Sequence, residues 1–267
     1  MRKLFSLELI LIVPLTSLLA QTAAPDPVQV KPPAVRRAAA PSTTATAESL
    51  EQKGDELKAE KSFLDALDYY RAALTKKPEN ALLYNKACIT EILMQRFKEA
   101  SRDCERSIRS DRQYADAYNN LGVVYYEERR AGKAIKQYQK ALQLRSDSAS
   151  YYSNLGAAYF SKKEFEKSVL AYNKALELDP DVLERTSRNG VTAQLPSPED
   201  RARFDYEIAK LYAKMGLSDQ CLSHLRKAME EGYKNINNVY KDAEFAGLRK
   251  DPRFTTLMAA RPAAIPE

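Results

Sequence analysis

The sequence predicts an all-helical protein, and three observations support that prediction. Only 8 of the 267 residues are glycine, while 44% are hydrophobic, which is enough for a core. Apart from Pro78, the 13 prolines lie before residue 42 or after residue 178, so most of the chain is free of helix breakers. Side-chain types also recur every 34 residues from residue 47 onward. A fixed period of this length indicates a stack of equivalent helical units.

Columns of small and large side chains define the repeat. The small residues of one column are Ala66, Ala100, Ala134 and Ser168, and those of another are Ala73, Ser107, Ala141 and Ala175. Two further columns contain Gly54, Cys88, Gly122 and Gly156, and Tyr70, Cys104, Tyr138 and Tyr172. Small residues let two helix axes approach closely, and large ones fill the space towards the next unit. Each unit is therefore predicted to bring two helices into close contact.

The third unit, residues 115–148, resembles the tetratricopeptide repeat. Its matches to the family pattern are Leu121, Gly122, Tyr125, Ala134, Tyr138 and Ala141. Tyr118 stands where the family has tryptophan, and Pro78 and Pro180 match the proline that closes a unit. The resemblance implies a right-handed superhelical solenoid of helix-turn-helix units. Such units stack because one unit cannot bury its apolar face alone.

The period divides the chain into segments. Four units are predicted at residues 47–80, 81–114, 115–148 and 149–182, and a fifth, repeat-like unit at residues 202–235. Between them, residues 183–201 form an insertion with turn signals at Asn189-Gly190 and Pro196-Ser197-Pro198. Residues 236–267 are predicted to be a short helical cap with a frayed end. The side chains expected to pack the cap onto the fifth unit are Phe245, Leu248, Phe254 and Leu257.

The first 24 residues are predicted to be a signal peptide. Arg2 and Lys3 precede a short apolar core, which is too short to span a membrane. Residues 25–46 are rich in alanine, proline and threonine, and a segment of this composition predicts a disordered tether. We therefore expect an exported protein, periplasmic or secreted, that is cleaved after Ala20 or Ala24 and has no stable membrane span afterwards.

The composition argues against several classes of function. The net charge of +6 is spread over interspersed signs, whereas a nucleic-acid-binding protein concentrates its basic residues on one face. His224 is the only histidine and is expected at the surface, with no nucleophile motif beside it. Three cysteines without a CxxC pair do not predict a zinc site. The sequence therefore predicts a protein that is not an enzyme and has no cofactor or metal. It leaves open whether Cys88 and Cys104 are bridged.

The family resemblance places the function in a groove. In this family the first helix of each unit lines the concave face, with its second, fifth, ninth and twelfth positions pointing inward. From these positions the candidate peptide-groove residues are Asn85, Ile89, Ile92, Asp116, Asn119, Tyr126, Ser153 and Phe160. Asparagine amides can pair with the backbone of an extended peptide, and the apolar residues can hold its side chains. Asn120 and Asn154 instead match a structural asparagine of the family.

The expected partner is a protein or peptide segment. Glu48, Glu51 and Asp55 make one end of the groove acidic, which favours a segment with a basic flank. Chaperone-binding relatives have basic residues there to hold a terminal carboxylate, so that kind of ligand is not expected. Two alternatives remain: a structural or self-associating envelope component, and a non-catalytic subunit of an envelope enzyme complex.

Overall fold

The computed structural model describes residues 38–183 and 197–260, and in these ranges all regular secondary structure is helical. The α-helices are α1 (Ala47–Ala59), α2 (Phe63–Lys76), α3 (Ala81–Leu93), α4 (Phe97–Ser110), α5 (Ala115–Glu127), α6 (Ala131–Leu144), α7 (Ala149–Ser161), α8 (Phe165–Leu178), α9 (Pro198–Lys214), α10 (Ser218–Glu230) and α11 (Pro252–Ala260). Three 3-10 helices, Ile236–Tyr240, Ala243–Ala246 and Leu248–Lys250, connect α10 to α11. Helices α1 to α10 form five consecutive packed pairs. The predicted helix-pair solenoid with a helical cap is confirmed.

The turn inside each helix pair has the same backbone shape. Its central residue has a positive φ of 58° to 61° at Lys61, Gln95, Arg129 and Lys163, and of 74° at Gly216. In each case the backbone N–H of the following residue donates to the carbonyl five residues before it. Since positive φ is unfavourable for residues other than glycine, the stacking of the helices must hold the first four turns in place.

A glycine–tyrosine contact sets the helix spacing in three of the units. Each glycine lies on the first helix and faces a ring sixteen residues later: Gly54 on Tyr70, Gly122 on Tyr138 and Gly156 on Tyr172. A Cβ atom at Gly122 would lie 2.5 Å from the Tyr138 ring, closer than side chains approach. In the second unit the same two columns contain Cys88 and Cys104, which form a disulfide with 5.3 Å between their Cα atoms. Cys221 is buried and free.

The fifth pair begins earlier than the sequence predicted. Helix α9 starts at Pro198, inside the predicted insertion and four residues before the predicted unit. The Ser197 hydroxyl accepts a hydrogen bond from the Asp200 N–H, and proline is favourable in the first helical turn. The Pro196-Ser197-Pro198 run, interpreted above as a turn, therefore also contains a helix cap. Residues 184–196, the rest of the insertion, lie outside the described residues.

The C-terminal cap packs as expected. Phe245, Leu248, Phe254 and Leu257 are all buried and belong to the same core cluster as the fifth pair. The final residues 261–267 lie outside the described residues.

The end of the predicted tether contacts the first unit. The Tyr69 hydroxyl donates to the Ala39 carbonyl at 3.0 Å, and Lys76 donates to the Thr43 carbonyl at 2.6 Å. Ala38 and Ala45 also pack against the core of this unit. Residues 38–46 therefore lie along α2, although the sequence predicted disorder up to residue 46. The predicted signal peptide and the rest of the tether lie outside the described residues.

Candidate functional site

The first helices of the units lie on the inner side of the stack. In backbone distance, α3 lies closer to α5, and α5 to α7, than the second helices α2, α4 and α6 lie to one another. Between α2 and α4 the contact is made by long side chains, with Arg71 paired to Asp103. A stack whose first helices are closer together curves towards them. We call the surface formed by α1, α3, α5 and α7 the concave wall. It contains all eight of the groove residues predicted from the sequence.

Five of those eight residues are buried. The buried side chains are Asn85, Asn119, Tyr126, Ser153 and Phe160, and the half-buried ones are Ile89, Ile92 and Asp116. Phe160 is covered by two edge-on aromatic rings, Phe165 at 5.0 Å and Phe204 at 5.3 Å between centroids. The expectation that all eight line an open groove is therefore corrected for these five. A partner can reach them only if the wall rearranges.

The buried asparagines form a chain of amide hydrogen bonds along the concave wall. The Nδ2 of Asn154 donates to Oδ1 of Asn119 at 2.9 Å. Asn119 in turn donates to Asn120 at 3.2 Å, and Asn120 donates to Oδ1 of Asn85 at 2.9 Å. These bonds connect α7, α5 and α3. These hydrogen bonds are consistent with the interpretation of Asn120 and Asn154 as structural. Asn85 and Asn119 take part in the same bonds and are structural too.

Because of these hydrogen bonds, a substitution at Asn119 changes the stability of the wall as well as any contact with a partner. Replacing Asn119 by alanine removes one hydrogen-bond partner from each of two amides in the wall. The loss of a partner by a buried amide costs about 1–3 kcal/mol. Asn119→Ala, and Tyr126→Ala at a fully buried ring, are therefore stability changes. Neither substitution therefore tests partner binding without also lowering stability.

A charged version of the same contact joins the first two units. Lys86 occupies the column of Asn120 and Asn154, and its Nζ lies 2.5 Å from Glu51 and 2.6 Å from Asp55. Burial lowers the pKa of Lys86, but the hydrogen bonds to Asp55 and Glu51 outweigh burial and raise it. Lys77 pairs with Glu48. The predicted acidic end of the groove is thus largely neutralised from within the chain.

Asp116 also takes part in a contact between units. Its carboxylate accepts from the Tyr151 hydroxyl at 2.6 Å and from Arg145 at 2.5 Å, which connects the third unit to the fourth. Burial and the hydrogen bond to Asp116 raise the pKa of Tyr151 well above its usual range. The Tyr151 hydroxyl therefore stays protonated and acts as a donor. Asp116 is half-exposed, so its outer edge remains open to solvent.

The exposed large apolar residues of the concave wall lie in a stripe on α3. Leu82 is 43% exposed, Leu93 is 51% exposed, and Ile89 between them is half-buried. Spacings of seven and four residues put these three on one helix face. We call Leu82, Ile89 and Leu93 the α3 stripe. The sequence identified Ile89 as a candidate, and Leu82 occupies the second, inward-pointing position of the unit at residues 81–114. Leu93 was missed, although this spacing could have indicated it.

His224 is not at the surface as the sequence predicted. It is buried between α9 and α10, with Nδ1 2.7 Å from Oδ1 of Asp205. Its ring stacks on Tyr212 at 5.4 Å between centroids. The pair connects the two helices of the fifth unit.

No helix within residues 38–183 and 197–260 is both long and apolar enough to cross a membrane.

Comparison with known proteins identifies the repeat. Residues 113–181 match the family model of the tetratricopeptide repeat. The chain contains tetratricopeptide repeats. Small glutamine-rich tetratricopeptide repeat-containing protein 2 of Saccharomyces cerevisiae is 28% identical over 96 residues, which are 36% of this chain and 28% of that protein. DnaJ homolog subfamily C member 7 of Mus musculus is 28% identical over 92 residues, 34% of this chain and 19% of that protein. The chain thus spans less than a third of these relatives' length.

Solved structures of tetratricopeptide-repeat proteins are also similar. MamA has 24% identity and a TM-score of 0.48, over 67% of this chain and 93% of that one. YrrB, described as having an unusual peptide-binding site, has 19% identity and a TM-score of 0.47, over 76% of this chain and 91% of that one.

Proposed function

We propose that this tetratricopeptide-repeat protein is a non-catalytic interaction scaffold that holds a segment of a protein partner on its concave wall. Tetratricopeptide-repeat proteins commonly mediate protein–protein interactions, which supports the general class. The α3 stripe is the observation that carries the specific site. Its two leucines are about half exposed on a wall whose other predicted groove residues are mostly buried. Exposed apolar side chains that lie together on one face mark interaction sites more often than isolated ones do.

The stripe favours an apolar anchor in the partner. The amides of Asn85 and Asn119 are used within the wall, so paired amide contacts to a peptide backbone are no longer the expected mode. Glu51 and Asp55 are neutralised by Lys86, so a basic flank is no longer required either. The remaining free energy of binding comes from burying leucine and isoleucine side chains, at about 25 cal/mol per Å² of apolar surface.

A charge introduced into the stripe is expected to abolish binding. Leu82→Glu combined with Leu93→Glu would require two carboxylates to be desolvated on docking, so partner capture should fall at least tenfold. The matched control is Leu170→Glu, because Leu170 is 70% exposed on the second helix of its unit. Affinity capture from extracts of the native cell, quantified by mass spectrometry, compares both variants with the unchanged chain.

Two outcomes would contradict the binding proposal. Capture that is unaffected by the double substitution places the site elsewhere, and capture lost equally with Leu170→Glu indicates a non-specific apolar surface. If the protein captured through the stripe is a second copy of this chain, the self-associating alternative replaces the scaffold. Circular dichroism of each variant shows whether the fold is retained.

We further propose that the protein is exported. The basic start and short apolar core of the first 24 residues motivate the proposal. The Cys88–Cys104 disulfide supports it, because such bonds persist in oxidising compartments and are rare in the cytosol. N-terminal sequencing of the protein from its native cell should find a chain that starts at Gln21 or Pro25. A chain that retains residues 4–19 would contradict export by this signal.

A further inference from the structure

The second unit differs from its neighbours at one contact. In the first, third and fourth units a glycine on the first helix faces a tyrosine ring sixteen residues later. Cys88 and Cys104 occupy these two columns in the second unit, with the same separation of sixteen residues. The disulfide therefore lies where the first, third and fourth units have a glycine–tyrosine contact.

We infer that the Cys88–Cys104 bridge substitutes for the tyrosine ring and makes the packing of the second unit depend on oxidation. A tyrosine side chain has eight heavy atoms, whereas the two cysteine side chains together have four. Around the bridge, the remaining fully buried residues of this core cluster are Ala100, Leu121 and Val124. The other hydrophobic side chains around the bridge, Ile92, Phe97, Ile108 and Tyr125, are only partly buried. A covalent bond therefore contributes what a buried ring contributes in the first, third and fourth units.

The burial of both cysteines makes the bridge structural. Neither Cys88 nor Cys104 is exposed, so a thiolate can reach the sulfur atoms only after α3 and α4 separate. Reduction by a dithiol transfers two electrons and two protons, which leaves two cysteine thiols and one oxidised dithiol. Once reduced, α3 is held to α4 by noncovalent contacts, namely side-chain packing and the hydrogen bond from the Ser107 hydroxyl to the Ala81 carbonyl. Because α3 carries the α3 stripe, we expect that stripe to be better ordered in the oxidised chain than in the reduced one.

Three forms of the full chain test the inference without any binding partner. The first is the unchanged protein, oxidised or refolded in dithiothreitol; the second is Cys88→Ala with Cys104→Ala; the third is Cys88→Gly with Cys104→Tyr. Closing a loop of this length is expected to account for a Tm difference of about 6–12 °C between the oxidised and reduced chains. Hydrogen exchange should show the loss of protection concentrated in α3 and α4.

The two variants should behave differently. The double-alanine variant should match the reduced chain and be unaffected by dithiothreitol. The glycine–tyrosine variant should recover at least half of the lost protection in either redox state, because it introduces the contact found in the first, third and fourth units. Cys221→Ala is the control for thiol effects outside the bridge and should keep the full redox response.

Other results would overturn the inference. A double-alanine variant as stable and as protected as the oxidised chain would show that the bridge adds nothing. A folded glycine–tyrosine variant that is no better protected than the double-alanine variant would show that the two contacts are not equivalent. If the glycine–tyrosine variant does not fold, the equivalence is likewise refuted. None of these readouts depends on the proposed binding function.

Discussion

Replacing Arg71 by methionine is expected to lower the free energy of unfolding by about 3 kcal/mol or more. The Arg71 guanidinium pairs through both terminal nitrogens with Asp103, with Nη1 2.8 Å from Oδ1, and it lies 3.7 Å from Glu91. Both carboxylates are almost fully buried. Removing one partner of a buried ion pair costs about 3–5 kcal/mol, because a charge is left uncompensated. We expect the lower end of this range, because the Arg71 side chain is 37% exposed and solvent screens the ion pair in part.

The matched control for Arg71 is the same substitution at an exposed arginine. Arg102 lies on the exposed side of α4, and Arg102→Met should change stability by less than about 0.5 kcal/mol. Urea denaturation of both variants gives the comparison. A loss below 1 kcal/mol for Arg71→Met would mean that Arg96 and Arg106, at 3.8 Å from Glu91 and 3.5 Å from Asp103, compensate the two carboxylates.

The second large effect is expected at Gly122. Even the Cβ atom of a larger residue would lie 2.5 Å from the buried Tyr138 ring, so Gly122→Val must displace either the ring or the helix. Overpacking of this kind costs about 1–3 kcal/mol, occasionally more, and we expect the upper end because the Tyr138 ring is fully buried.

Gly132 provides the control for Gly122. It lies in the first turn of α6, and apart from its chain neighbours and the nearby backbone of its own helix, no atom lies within 4 Å of the position of an added Cβ. Gly132→Ala should raise stability by about 0.5–1 kcal/mol, because it restricts the unfolded chain. Thermal melts of the two variants are the measurement. If Gly122→Val melts within 1 °C of the unchanged chain, the glycine–tyrosine contact does not set the helix spacing.

The sequence predicted the fold well because the repeat is a property of local spacing. Columns such as Gly122 and Tyr138 record which side chains meet inside one unit, and that meeting fixes the helix pair. The helix cap at Ser197 was missed because a serine between two prolines also indicates a turn. The structure shows a cap, because the backbone N–H of Asp200, three residues after Ser197, donates to the serine hydroxyl.

The groove was predicted less well, because a repeat register gives the direction of a side chain and not its depth. Asn85 and Asn119 point towards the concave side as expected, but the next unit covers each of them with an asparagine 35 residues later. Phe160 is covered by Phe204, which lies beyond the insertion and outside the regular period. Contacts between units of this kind are not encoded in the pattern of a single unit.

The most direct test of the proposed binding site is residue-specific photo-crosslinking in the native cell. A photoreactive phenylalanine analogue would replace Leu82 or Leu93 of the α3 stripe in separate experiments, and Leu170 on a second helix in a third. We expect both stripe positions to form a covalent adduct with the same partner protein and position 170 to form none. An adduct at position 170 with none at the stripe would contradict binding on the concave wall.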